Sequence, residues 1–160
     1  MRPRLAATVP ALIGLLSAFC LLVCTGCEYE LPLTAAATRP TQETLVGTWH
    51  EVGGKDVMII RQLDAATYFL TYNGDLYSAQ HSDLDAMPFV NVLHLDPTNR
   101  KYSYLTWTHQ TDPRKLTLRV LSSKVIPASI QDRSALQKLI REHRANPALF
   151  ASEHHYVREK

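Results

Sequence analysis

The chain has 160 residues, 17 of them basic and 15 acidic, with 46% apolar and 8% aromatic side chains. That length supports one domain with its own core and leaves no room for two. A net charge of only +2, with no basic cluster, excludes the electrostatic footprint of a nucleic-acid-binding protein.

Arg2 and Arg4 precede an apolar run from Leu12 to Cys24, and the small residues Thr25 and Gly26 then lead to Cys27. A positive start, an apolar stretch and small residues before a cysteine describe an export signal that ends at a site for lipid attachment. The run falls short of the ~20 residues of a full membrane span. Cys24-Thr25-Gly26-Cys27 resembles the lipobox of bacterial lipoproteins, although that family usually has Leu where Cys24 stands. The resemblance implies that residues 1–26 are a signal peptide and that Cys27 is acylated, making membrane lipid a partner of the mature chain. Glu28, where an aspartate is absent, resembles the sorting context for the outer membrane, which implies a lipid-anchored protein of the cell envelope facing the periplasm.

Cys20 and Cys24 would leave with the signal and Cys27 would carry lipid, so no cysteine remains for a disulfide. Apolar packing must hold the domain together. Arg2 and Arg4 leave as well, and the basic count falls from 17 to 15, equal to the acidic count.

Residues 27–44 read as a flexible tether, because Pro32, Pro40, Ala35 to Ala37 and several threonines lack periodic apolar spacing. The single domain then spans residues 45–160. Leu45 to Val52 is strand-like and ends at Gly53-Gly54, a turn signal. Val57 to Leu63 forms the next strand. Thr67 to Tyr72 alternates, and Asn73-Gly74 supplies the positive backbone angles of a two-residue hairpin, so Leu76 to His81 should return antiparallel. A polar stretch from Asp83 to Pro88 leads into the strand Phe89 to Leu95. Asp96 to Asn99 turns the chain into Lys101 to His109, and Thr111 to Lys115 turns it into Leu116 to Leu121. Ser129 and Asp132 match a capping box, after which Leu136, Leu139, Ile140 and His143 fall at helical spacing up to Pro147. This predicts a helix at about residues 130–145, lying against the sheet or over one mouth of a barrel. Residues 150–158 complete the pattern as a last strand. The fold class is mainly β: an antiparallel meander forming a small complete or partial β-barrel, with one C-terminal helix packed on it.

Gly47-Thr48-Trp49 resembles the glycine-any-tryptophan motif on the first strand of the calycin and lipocalin-like barrels. The resemblance implies that Trp49 closes one end of the barrel, that Arg158 packs over it, and that Gly47 permits the close approach. The chain also looks like uncharacterised bacterial lipoproteins whose folded part begins with the Leu45 to Trp49 sequence.

Chemistry-bearing patterns are sparse. His81, Asp83 and Asp85 alternate, as do His94 and Asp96, and His154-His155 lies near the end. None assembles the three or four spaced ligands of a dedicated zinc site. There is no nucleophile elbow, phosphate loop or dinucleotide fingerprint, no locally paired carboxylates, and no free thiol expected in the mature chain. No metal, no cofactor and no catalysis are expected. The aromatics Tyr68, Tyr72, Tyr102, Tyr104 and Trp107 recur on consecutive strands. They fill a small core, or some of them line an apolar groove under a lid containing Leu136 and Ile140. The expected function is noncatalytic binding of a small apolar or amphipathic ligand, or of an envelope protein. The alternative is a structural or assembly role through protein contacts.

Overall fold

A computed structural model describes residues 28–109 and 112–160. The expected signal peptide, residues 1–26, and the expected acylation site Cys27 lie outside the described residues. No helix among the described residues is long and apolar enough to cross a membrane.

The strands are β1 (Gly47–Glu51), β2 (Val57–Gln62), β3 (Thr67–Tyr72), β4 (Asp75–Leu84), β5 (Met87–His94), β6 (Tyr102–His109), β7 (Lys115–Leu121) and β8 (Phe150–Arg158). Each pairs antiparallel with the next, and β8 also pairs with β1, so the meander closes into a barrel. Val157 shows the closure: it faces Lys115 of β7 on one side and His50 of β1 on the other. Closure satisfies the backbone groups that a partial barrel would leave at two edges.

Two hairpins use the same turn chemistry from different sequences. At Asn73-Gly74 both residues have positive φ, 51° and 97°, as the sequence leads one to expect of a primed two-residue turn. The polar stretch expected from Asp83 to Pro88 is also a tight hairpin. Leu84 pairs with Met87, and Asp85 and Ala86 turn with φ of 50° and 66°. No glycine marks this turn. Arg141 Nε, on the helix, donates to Asp85 Oδ2 at 2.5 Å and holds it from outside.

Side chains alternate across the strands, and both faces are used. Inward-facing Trp49, Met58, Ile60, Tyr68, Leu70, Ala79, Val90, Val92, Leu116 and Leu118 make the interior cluster. Outward-facing Leu84, Phe89, Tyr104 and Leu121 make a second cluster with Tyr29, Leu33, Ile126, Leu136, Ile140 and Leu149. The unbroken buried run Phe89 to Val92 in β5 follows from this, since the sheet is covered on both sides there.

Helix α1 (Arg133–Glu142) provides part of that outer cover. Leu136 and Ile140 pack on the outside of the barrel and do not form a lid. The expected capping pair is also corrected: Asp132 is itself the cap, accepting from Ala135 N at 2.7 Å.

The other part of the cover is the stretch expected to be a tether. Tyr29 and Leu33 are fully buried. Tyr29 exchanges two backbone hydrogen bonds of 2.7 Å with Tyr102, and its hydroxyl donates to Ile126 O at 2.8 Å. Gln137 and Arg133 of α1 donate to Leu33 O and Pro32 O at 2.8 and 3.0 Å. Thr38 N then reaches His81 O at 2.9 Å, and Arg39 clasps Asp83. Residues 28–44 therefore pack along the wall. Their apolar groups are few, but Tyr29, Leu31 and Leu33 join the cluster on the outward faces of β4 to β7. A short 3-10 turn, Glu43–Leu45, brings the chain under the barrel, so β1 begins at Gly47.

Candidate functional site

The chain enters β1 through a plug. Leu45 and Trp49 are fully buried, and Trp49 Nε1 donates to Leu45 O at 2.9 Å. Trp49 faces Arg158 across the β1–β8 pair, and the Arg158 guanidinium carbon lies 5.8 Å from the indole centroid. Arg158 also donates to Val46 O. A Cβ on Gly47 would stand 2.6 Å from Arg158 Nε, so the missing side chain makes room for the guanidinium. Glycine, tryptophan and arginine thus meet at the closed end of an eight-stranded, lipocalin-like barrel.

Above the plug lies a polar floor. Tyr68 and His81 are buried and joined by an Oη–Nε2 contact of 3.0 Å. Gln42 N donates to the Tyr68 hydroxyl, which leaves the hydroxyl proton for His81 Nε2. That arrangement suits a neutral imidazole. Burial, and secondarily Arg39, holds the His81 pKa below its ordinary value of 6.5, against an opposing pull from Asp83. Burial also pushes the Tyr68 phenol up. Trp107 meets the His81 ring edge-on at 4.9 Å and the Tyr68 ring at 5.8 Å.

Past this floor the interior opens into a cavity of about 220 Å³. Its wall is overwhelmingly apolar: Met58, Leu70, Val92, Leu105, Leu118 and Val120 line it, with Ser103 among them. Tyr72, Tyr77, His154 and Tyr156 complete the lining toward the end where β3 turns into β4. The cavity is half open at that end. Its rim is polar. The Tyr72 hydroxyl donates to Asp56, which with a second hydrogen bond from Asn73 holds the Asp56 carboxyl below its ordinary value. Burial, reinforced by Asp56, pushes the Tyr72 phenol up. His154 Nδ1 lies 3.0 Å from Glu51 Oε1, and Tyr77 stacks on His94 at 4.8 Å.

The five aromatics expected to fill the core, or in part to line a groove, divide by strand parity. Tyr68, Tyr72 and Trp107 face the interior. Tyr102 and Tyr104 face outward, where the Tyr104 ring lies tilted against that of Tyr29 at 4.6 Å and Tyr102 binds the Tyr29 backbone. The sequence reading missed the aliphatic wall and the rim histidine. Two-residue alternation on β2, β5 and β7 carries that wall, but it marks inward residues without saying which layer stays unfilled.

The histidines and acids considered as metal ligands are dispersed. His81 belongs to the floor, Asp83 to Arg39, Asp85 to Arg141 and His94 to Tyr77. Among the described residues no group of three or more His, Cys, Asp or Glu is placed to hold a metal ion. A second recess of about 170 Å³ lies between Pro32 to Ala35 and the outer faces of β4 and β5. Two of its lining polar groups, Asn91 and Thr34, are engaged with Ser82 by hydrogen bonds of 2.6 Å. Comparison of the chain with protein-family models, with curated proteins and with solved structures finds no match.

Proposed function

We propose that this barrel is a noncatalytic carrier of a small apolar or amphipathic ligand, held in the bacterial cell envelope by acyl chains on Cys27. The observation that carries the reading is the half-open, apolar cavity of about 220 Å³ in so small a domain. A chain of this size gains stability from every filled void, and an unfilled cavity costs it contacts. Apolar cavities of about 150 Å³ take a benzene ring, so this one accommodates on the order of nine non-hydrogen atoms. Tyr72, Tyr77, His154 and Tyr156 at the rim offer hydrogen bonds to a polar end. Retention in the envelope, at the outer membrane facing the periplasm, rests on the order of the first 28 residues. Two acyl chains would anchor stably where one would not.

The alternative of an assembly role through protein contacts would draw support from an exposed strand edge or apolar patch. No strand edge is left between β1 and β8 to template a partner.

Native mass spectrometry of the extracted protein and titration with an apolar fluorescent dye test the carrier reading. Saturable binding in the wild type, lost in Ser103→Phe, is the expected result. The new ring fills the cavity, so the melting temperature should hold or rise while binding disappears. Absence of saturable binding in the wild type, or unchanged binding in Ser103→Phe, would overturn the proposal.

A further inference from the structure

Resting on the carrier reading and narrowing it, we infer that the ligand of the cavity is a small amine, its apolar part inside the barrel and its ammonium group held at the mouth between Glu51 and Asp56. Strand alternation places both carboxylates there. Glu51 follows inward-facing Trp49 by two residues, and it pairs across β1 and β8 with Tyr156 of the cavity lining. Asp56 stands two residues before inward-facing Met58. Glu51 N donates to Asp56 O at 2.9 Å, which carries the β1–β2 pairing one step past His50 and Val57. The two acids are thus cross-strand neighbours at the open end. Like charges in that relation destabilise a sheet, and a cation between them removes the cost. Lys55 lies in the same turn but is exposed.

The hydrogen bonds of the rim decide which polar end fits. Tyr72 gives its hydroxyl proton to Asp56. His154 Nδ1 lies 3.0 Å from Glu51 Oε1, and a carboxylate only accepts, so Nδ1 carries the hydrogen. The neutral ring then presents a lone pair at Nε2. Tyr72 Oη, His154 Nε2 and the unused carboxylate lone pairs are all acceptors. Against them stand only the neutral hydroxyls of Tyr77, Tyr156 and Ser103 as donors, and no Lys or Arg lines the cavity. Burial raises the Tyr156 phenol, and Glu51 and Asp56 add to that rise, so the field of both acids reaches the lining. A carboxylate or phosphate head would meet two anions here and no matching cation. An ammonium group brings three donors and the opposite charge. The volume of about 220 Å³ then leaves room for one ring or a short chain behind it.

Calorimetric titration of the extracted protein at neutral pH with phenethylamine, phenethyl alcohol and phenylacetate tests the inference. The three share a benzene ring and differ in the polar end, which is a cation, a neutral hydroxyl and an anion. The amine is expected to bind at least about tenfold more tightly than the alcohol, as one charge-assisted hydrogen bond provides, and phenylacetate most weakly. In Asp56→Asn, and separately in Glu51→Gln, the preference for the amine over the alcohol should shrink by about tenfold. Absence of an amine preference in the wild type, tighter binding of phenylacetate, or a preference unchanged in both variants would overturn the inference and leave the carrier reading intact. Saturable binding of the apolar dye with none of the three compounds bound would do the same. Failure of the dye and of all three compounds to bind would overturn both.

Discussion

Gly47 lacks the Cβ that would stand 2.6 Å from Arg158 Nε, and this lets the guanidinium lie over Trp49 and reach Val46 O. Gly47→Ala is expected to destabilise the fold by roughly 1–3 kcal/mol, the usual range for overpacking. Urea unfolding should show most of that loss disappearing in an Arg158→Ala background, because the two side chains compete for one space. A full loss in both backgrounds would assign the effect to the backbone alone. His81 makes a second residue-scale prediction. Burial and Arg39 hold its folded pKa below 6.5, so between the two values the unfolded chain binds more protons. Stability is then complete above the unfolded value and falls as pH drops toward the lowered folded one. His81→Gln is expected to flatten this acid limb in melts taken from about pH 7 to about pH 5. An unchanged limb would move the effect to other groups.

The two primed hairpins separate, at the scale of elements, what a sequence signal records from what a turn requires. Asn73-Gly74 announces its turn because glycine accepts positive φ without cost. Asp85-Ala86 adopts the same conformation with no glycine to announce it, and Ala86 at φ 66° bears the penalty of a left-handed residue with a Cβ. Replacing Ala86 by glycine should remove that penalty, less the entropy glycine loses on folding, for a net gain of about 0.5–1 kcal/mol. A raised urea midpoint with unchanged slope is the expected readout, and a lowered midpoint would refute it. The turn is held from outside by the Arg141–Asp85 contact, which joins residues 56 positions apart. No local pattern encodes such support.

Over the whole molecule the decisive feature is a sheet covered on both faces. The barrel interior takes one set of side chains, while residues 28–44 and α1 cover the outside of β4 to β7. Tyr29→Ala is therefore expected to cost about 3–5 kcal/mol, as for a buried aromatic in a core. A free tether would show no loss, so chemical denaturation of this variant distinguishes the two arrangements directly.

Local physics in the chain was enough to specify the strands, the Asn73-Gly74 hairpin, the antiparallel order and the amphipathic helix, because alternation, turn residues and helical spacing act over a few residues. The Gly47-Thr48-Trp49 motif and Arg158 also mark the plugged end from sequence. Tertiary structure alone decided that β8 would close on β1, that α1 would lie on the wall, and that Tyr102 and Tyr104 would face away from Tyr68 and Trp107. It also decided which inward layer stays empty. Those outcomes depend on how strands curve and which volumes remain when distant segments meet, and no short stretch of sequence carries that sum.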